Sequence, residues 1–200
     1  MSSEVQFYRE ENFKVVEADG FKLEIPEEWE VVRLTSIANI IMGQSPPSKT
    51  YNEEGKGLPF LQGKAEFGKI YPNPKLYCSN PIKIAEKGDI LISVRAPVGD
   101  VNIAPYKLCI GRGLASIRFS NDVADTEYYF YYFRQIKPYI ENLGKGSTFK
   151  AVTKNDLDGL KIPLPPLEEQ KKIAHVLMSI DKAIEAVDEA IKQAERIKKG

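Results

Sequence analysis

From Ile173 onward the apolar residues recur at alternating steps of four and three: Ile173, Leu177, Ile180, Ile184, Val187, Ile191 and Ala194. That spacing is a heptad seam, and it predicts one continuous helix to Lys199. With Leu177, Ile184 and Ile191 at a and the others at d, the g positions are Val176, Ala183, Ala190 and Ile197. A stripe of this width suits a partner helix and a further surface. At about 1.5 Å per residue the helix would run on the order of 50 Å, roughly twice the width of the domain it leaves. A helix with an exposed apolar seam needs a cover. The cover is expected to be a second helix, from another copy or from further chain; the alternative is a helix folded back on its own domain. The heptads are still running at Gly200, so both a whole protein and half of one are open.

The helix start is fixed by Ile162-Pro-Leu-Pro-Pro-Leu-Glu-Glu-Gln170. Pro163, Pro165 and Pro166 hold the chain extended, and Glu168 and Glu169 then sit where the positive end of a helix dipole favours acids. The chain therefore divides into an acidic extension over residues 1–24, a compact domain over 25–166 and a long helix over 167–200. The extension is expected to pack loosely or to pair at a sheet edge.

The middle of the chain consists of short apolar runs separated by Gly, Pro or Asn: 58–62, 69–71, 81–84, 89–95, 101–103, 108–110 and 114–119. This punctuation predicts a β-rich domain, and with the terminal helix the fold class is α+β. Trp29, Val31, Val32 and Leu34 suit a first strand, with the single Trp in the core, and 34–41 suits a short helix. Residues 125–143 suit a second helix, kinked or divided by Pro138. The Tyr128-Tyr-Phe-Tyr-Tyr-Phe133 run is too dense for a one-sided stripe and predicts a core helix rather than a base-stacking platform. Thr153 has N-cap chemistry and opens a short helix before a strand over 160–164.

Charge narrows the function. The net charge is zero, which argues against an indiscriminate nucleic-acid binder. Residues 1–30 hold nine acids and three bases, and residues from 168 onward hold seven of each. The remainder, 31–166, carries 18 bases against 12 acids. A modest DNA footprint requires such a surplus, although a solvated surface could look the same. No apolar run long enough to span a membrane and no signal pattern is present. The chain is expected to be soluble and cytoplasmic. Cys78 and Cys109 lack metal-ligand spacing and are expected to be buried thiols.

Catalytic readings fare poorly. No Gly-rich loop opens a helix after a strand, and the single His175 falls on the outer face of the terminal helix. Asp89 has no Glu-x-Lys partner of the nuclease kind. No cofactor and no metal are expected.

Binding readings have better candidates. Gly43-Gln-Ser-Pro-Pro-Ser-Lys-Thr-Tyr51 is a stiff polar loop presenting Gln44, Ser45, Ser48, Lys49 and Tyr51. Such groups reach phosphates or base edges. Lys145-Gly-Ser-Thr-Phe-Lys150 offers Lys145, Ser147, Thr148 and Lys150 on a turn of phosphate-binding character. Arg95 closes an apolar strand, and Arg112 stands between Gly111 and Gly113, where small neighbours permit close approach.

Taken together, Ile25-Pro-x-x-Trp29, Gly43-x-Ser-Pro-Pro47, the run from Gly88 to Gly99, Gly146-Ser-Thr148 and the Pro-rich entry to the helix through Gln170 resemble the specificity subunits of type I restriction-modification systems. The order and spacing of these motifs, from about residue 25 to 199, carry the likeness. It implies a target recognition domain that reads one half of a split double-stranded DNA sequence, followed by a spacer helix, and a non-catalytic role beside methyltransferase and restriction subunits. In that family two such domains are separated by paired helices. One domain and one helix therefore imply either the first half of a longer subunit or a half-subunit that dimerises with C2 symmetry. Gln62, Lys64, Arg95 and Arg112 become candidate base readers, and the loops from Gln44 to Tyr51 and Lys145 to Lys150 candidate backbone and groove contacts. Two alternatives remain: the recognition domain of a fused restriction-methylation enzyme, and a coiled-coil adaptor whose β-rich head binds protein.

Overall fold

The computed structural model describes residues 13–18, 21–143 and 151–199. The described residues open with an antiparallel pair, β1 (Phe13–Ala18) and β2 (Phe21–Pro26), in which Phe13 faces Pro26. The pair runs across the expected domain boundary between residues 24 and 25. β3 (Glu30–Arg33), α1 (Leu34–Ile37) and β4 (Ala38–Met42) come next, so the short helix expected over 34–41 stops after one turn and continues as a strand.

Two sheets form the body. The first has the order β10-β9-β12-β4 and is antiparallel throughout, with β9 (Ile90–Ser93), β10 (Val101–Ile103) and β12 (Leu114–Phe119). The second has the order β5-β7-β6-β11-β8, built from β5 (Tyr51–Asn52), β6 (Leu58–Leu61), β7 (Leu76–Cys78), β8 (Ile84–Ala85) and β11 (Leu108–Ile110). Its one parallel pair is β6 with β11. β9 is apolar at consecutive positions because both faces of its sheet are covered. Ile90 and Ile92 pack in the cluster that holds Phe119, Tyr129, Phe130 and Phe133, while Leu91 packs with Leu61, Leu108 and Leu114. The run expected as a strand over 69–71 is a bend, because Ile70 is drawn into the core and its carbonyl accepts from Ile103 N at 2.8 Å.

The aromatic run forms α2 (Thr126–Gln135), capped by Asp125, whose carboxylate accepts from Tyr128 N at 2.9 Å. Five of its aromatics are buried, as a core helix requires. α3 (Lys137–Leu143) begins after a break at Ile136, so Pro138 lies in the first turn of a new helix, where its missing N–H costs little. Thr153 caps α4 (Lys154–Gly159) in a capping box with Asp156. β13 (Lys161–Leu164) then pairs with β3, placing Pro163 opposite Val31.

α5 (Leu167–Lys199) is the long helix, and its first half is fastened to the domain. Gln170 is fully buried: its Nε2 donates to the carbonyls of Val123 and Pro165 at 2.9 and 2.8 Å, and its Oε1 accepts from Asp125 N at 2.8 Å. Ala174 and Met178 continue the same face into the core. Asp181 accepts from the Tyr131 hydroxyl at 2.8 Å and lies 3.4 Å from Arg134, and Lys69 reaches Asp188 at 3.2 Å. From Lys182 to Lys198 every residue is exposed.

The seam is therefore a different face from the one that docks. Ile173 and Leu177 are half-buried, but Ile180, Ile184, Val187 and Ile191 are 49–58% exposed. The folded-back arrangement is realised by Gln170, Ala174 and Met178, with half-buried Ile173 against the core, and by polar ties at Asp181 and Asp188, whereas the apolar heptad positions from Ile180 onward stay exposed. His175 is exposed on the outer face, as its heptad position predicts. Trp29 is not a core residue: it is half-buried, with its indole directed to the start of α5. Among the described residues no helix is long and apolar enough to cross a membrane.

Candidate nucleic-acid interface

Three segments distant in sequence cross at the ends of β4, β6 and β12. Gly43 N donates to Leu114 O at 2.8 Å, Gln44 N to Ile110 O at 3.0 Å, Gly111 N to Leu61 O at 2.7 Å and Gly113 N to Gln62 O at 3.1 Å. The crossing leaves no room for side chains at its centre. A Cβ on Gly43 would stand 2.1 Å from Gly111 O, and one on Gly113 would stand 2.6 Å from Gln62 O. Glycine is required here by close backbone approach.

The residues around these glycines project outward as a group. Gln44, Gln62 and Arg112 are exposed, and Ser45 is half-buried with its Oγ accepting from Arg112 N at 3.2 Å. Val94 N donates to Gly113 O at 2.9 Å, which carries the exposed Arg95 to the same rim. Arg95 bridges to Ala151 and Val152 N donates to Val94 O at 2.9 Å, so the segment after residue 150 returns beside it. Lys145, Ser147, Thr148 and Lys150 themselves lie outside the described residues. Ser48 and Lys49 are exposed on a 3-10 turn, which is closed by the Thr50 hydroxyl donating to Pro47 O at 2.7 Å.

Two of the candidate residues are committed to the protein. Tyr51 donates its hydroxyl to Pro46 O at 2.8 Å and sets its ring 4.6 Å from that of Phe60. Burial, with the neighbouring Cys78 and Cys109, pushes this phenol above its ordinary range. Tyr51 thus staples the polar loop to the sheet. Lys64 is ion-paired with Asp100, which also accepts from Lys137 at 2.6 Å. Its ammonium lies on the wall of a cleft that Lys69, Arg134 and Lys137 also line.

Pairing separates structural from available cations. Arg118 makes two 2.9 Å hydrogen bonds to Asp89, which is 2% exposed and also accepts from Glu86 N at 2.9 Å and from the Ser116 hydroxyl at 2.5 Å. That cluster occupies both carboxylate oxygens of Asp89. Arg95, Arg112 and Lys49 have no ion pair among the described residues. Sequence reasoning missed Lys83 and Ile82 as members of this face. Both are exposed beside Gly111, because Lys83 O accepts from Ile110 N at 3.0 Å. An Ile directly after Asn80-Pro81, in turn chemistry, was the available signal. Among the described residues no group of three His, Cys, Asp or Glu could hold a metal ion.

Comparison with known proteins places the chain in a family. The chain belongs to the family of the type I restriction modification DNA specificity domain, whose model it matches over residues 26–196. It is 62% identical over 178 residues to a protein of Methanocaldococcus jannaschii assigned as the specificity subunit of type I restriction enzyme MjaX, covering 88% of this chain and 42% of that one. It is 30% identical over 196 residues to the MjaVIII specificity subunit of the same organism, covering 98% and 45%. Among solved structures it resembles the crystal structure of the HsdS subunit from Thermoanaerobacter tengcongensis, with a TM-score of 0.73, 47% identity and coverage of 90% and 43%. A chain from a study of complex assembly and conformational transition of the type I R-M system gives a TM-score of 0.75, 50% identity and coverage of 84% and 42%. The chain thus spans less than half the length of these relatives. The α+β architecture with a long terminal helix agrees with the HsdS structures.

Proposed function

We propose that this chain is the DNA-reading unit of a type I restriction-modification system, with residues 25–166 as the target recognition domain and 167–200 as the spacer helix. The observation that carries the reading is the crossing at Gly43, Gly111 and Gly113, which presents Gln44, Gln62, Arg95 and Arg112 exposed at one rim, neither Arg having an ion pair among the described residues. Arg pairs in a fork with guanine and Gln with adenine, each discriminating by about 1–3 kcal/mol. Ser48, Lys49 and the Lys145–Lys150 loop supply backbone contacts that fix register without reading sequence.

The chain reads one half of a two-part site and performs no chemistry itself. Methylation and cleavage belong to methyltransferase and restriction subunits that assemble on it in the cytoplasm. The exposed seam from Ile180 to Ala194 takes a second helix, from another copy or from a second half of a longer chain. Two copies related by C2 symmetry would read a palindromic split site.

The test is selection from a randomised duplex pool by the chain with its methyltransferase subunit. A two-part consensus is expected, with one position relaxed in Arg112→Ala. Recovery of unselected sequence by both proteins, or no retention of duplex at low salt, overturns the reading.

A further inference from the structure

Gln62 and Arg95 stand on different loops, and two separate links join those loops. The first is backbone: Gly113 N donates to Gln62 O at 3.1 Å, and Val94 N donates to Gly113 O at 2.9 Å. The second is an ion pair between Lys64, just beyond Gln62, and Asp100, at the far stem of the Arg95 loop. We infer that Lys64 and Asp100 are positioning residues for sequence reading, whose ion pair holds Gln62 and Arg95 at a fixed separation so that the bases beneath them are read as a pair. The inference rests on the DNA-reading function proposed above and gives Lys64 a part in it other than contact with a base.

The Arg95 loop is built to pass the position of Asp100 on to its tip. Its stems, Ser93 and Asp100, exchange two hydrogen bonds: Ser93 N donates to Asp100 O at 2.8 Å, and Asp100 N donates to Ser93 Oγ at 2.9 Å. The Ser93 side chain is buried, and its hydroxyl donates in turn to Pro97 O at 3.0 Å. Val94 and Val98 are buried on either side, which leaves Arg95, Ala96 and Pro97 as the exposed tip. Gly99 has φ +87° and rests on α3, where a Cβ would stand 3.1 Å from Lys137 Cγ. Asp100 is gripped through both oxygens, Oδ2 by Lys64 and Oδ1 by Lys137 at 2.6 Å. Burial acts to raise this carboxyl, and the two lysines outweigh burial and hold it below its ordinary range.

Gln62, Gly113, Val94, Ser93, Asp100 and Lys64 thus form a closed ring. Two links fix the orientation of one loop relative to the other, whereas a single link is a pivot. Breaking the ion pair leaves Gly113 as that pivot, and a reading group must be held within about 0.5 Å of its productive place. The neighbouring cations are matched as well, Arg134 with Asp181 and Lys69 with Asp188, so this cluster is a framework with its charges paired. Arg112 is held separately, its N donating to Ser45 Oγ at 3.2 Å and Gly111 N donating to Leu61 O at 2.7 Å. It serves as the internal control.

The test selects sites from a randomised duplex pool with the full chain and its methyltransferase subunit, then measures affinity for single-base variants of the selected site. Gln62→Ala, Arg95→Ala and Arg112→Ala assign the position under each residue. Asp100→Asn and Lys64→Met should each lower discrimination at the Gln62 and Arg95 positions together, by about tenfold, and leave the Arg112 position sharp. Lys64→Arg, which keeps a donor for Asp100, should keep all three sharp. The thermal midpoint should barely move, since a partly exposed ion pair contributes little to stability. Lys64→Met leaves Asp100 paired with Lys137, so it carries the test if Asp100→Asn does not fold. Unchanged discrimination in both variants would overturn the inference, as would an affinity change equal for all sequences. So would relaxation of one position by Lys64→Met with Asp100→Asn silent, which makes Lys64 a direct reader, or relaxation of all three positions, which marks a general structural role. In each of these cases the parent still selects a consensus and the reading function stands. A parent that selects nothing removes the reading function, and the inference with it.

Discussion

The indole Nε1 of Trp29 donates to Glu169 Oε2 at 3.0 Å across 140 residues of sequence. It joins the turn before β3 to the first turn of α5, where the prolines end. Trp29→Phe keeps an aromatic ring and removes the donor. A half-buried bond to a carboxylate of this kind is worth about 1 kcal/mol. The urea midpoint should fall accordingly with an unchanged slope; an unchanged midpoint would leave the bond without energetic weight.

Asp89→Asn should be more damaging. The carboxylate is buried and satisfies Arg118, Ser116 and Glu86 N at once. Its replacement leaves a guanidinium without its counter-charge and an amide donor facing donors, at a cost of about 2–3 kcal/mol. Thermal unfolding should register this directly, and Asp89→Ser with Arg118→Met should recover part of the loss.

Association is expected to depend on the exposed seam. Each Ile buried in a helix pair contributes about 1.5–3 kcal/mol. Ile184→Lys with Ile191→Lys should therefore raise the dissociation constant of any two-chain species by at least about tenfold in light scattering across a concentration series. Unaltered mass at every concentration would show that the seam is not the contact.

Cys78 and Cys109 are both fully buried free thiols. Burial, reinforced by Cys78, pushes the Cys109 thiol up to about 12. Since the thiolate is the reactive form, a native chain at about pH 8 should react with an aromatic disulfide reagent only as fast as it opens. Both thiols should titrate at once in denaturant. A rapid native reaction of either would contradict the packing around Phe60.

Periodicity made the long helix, the central strands and the core character of the aromatic run legible. Those features depend on neighbours a few residues away. What depended on distant partners was not legible. Leu76-Tyr-Cys78 is a strand because β5 and β6 flank it, and Lys69-Ile-Tyr71 is not one because Asn102 and Ile103 take up backbone groups of the 68–70 segment. Trp29 looked like core because nothing local announces a carboxylate 140 residues later. At the site, the residue types were readable but not their company. Lys64 and Arg112 carry the same charge in sequence, yet one is shared with Asp100 and the other, beside Ser45, has no ion pair among the described residues.

The fastening of α5 at Gln170, Asp181 and Asp188 makes the helix a ruler that also carries a phase. Each residue inserted beyond Asp188 moves the remainder of the helix outward by about 1.5 Å and turns it by about 100°. An insertion of about seven residues adds about 10.5 Å and returns the seam to within about 20° of its former bearing. Reach along the helix and bearing around it are thus changed together, and lengths that preserve the bearing come only in steps of a heptad or a near multiple of a turn.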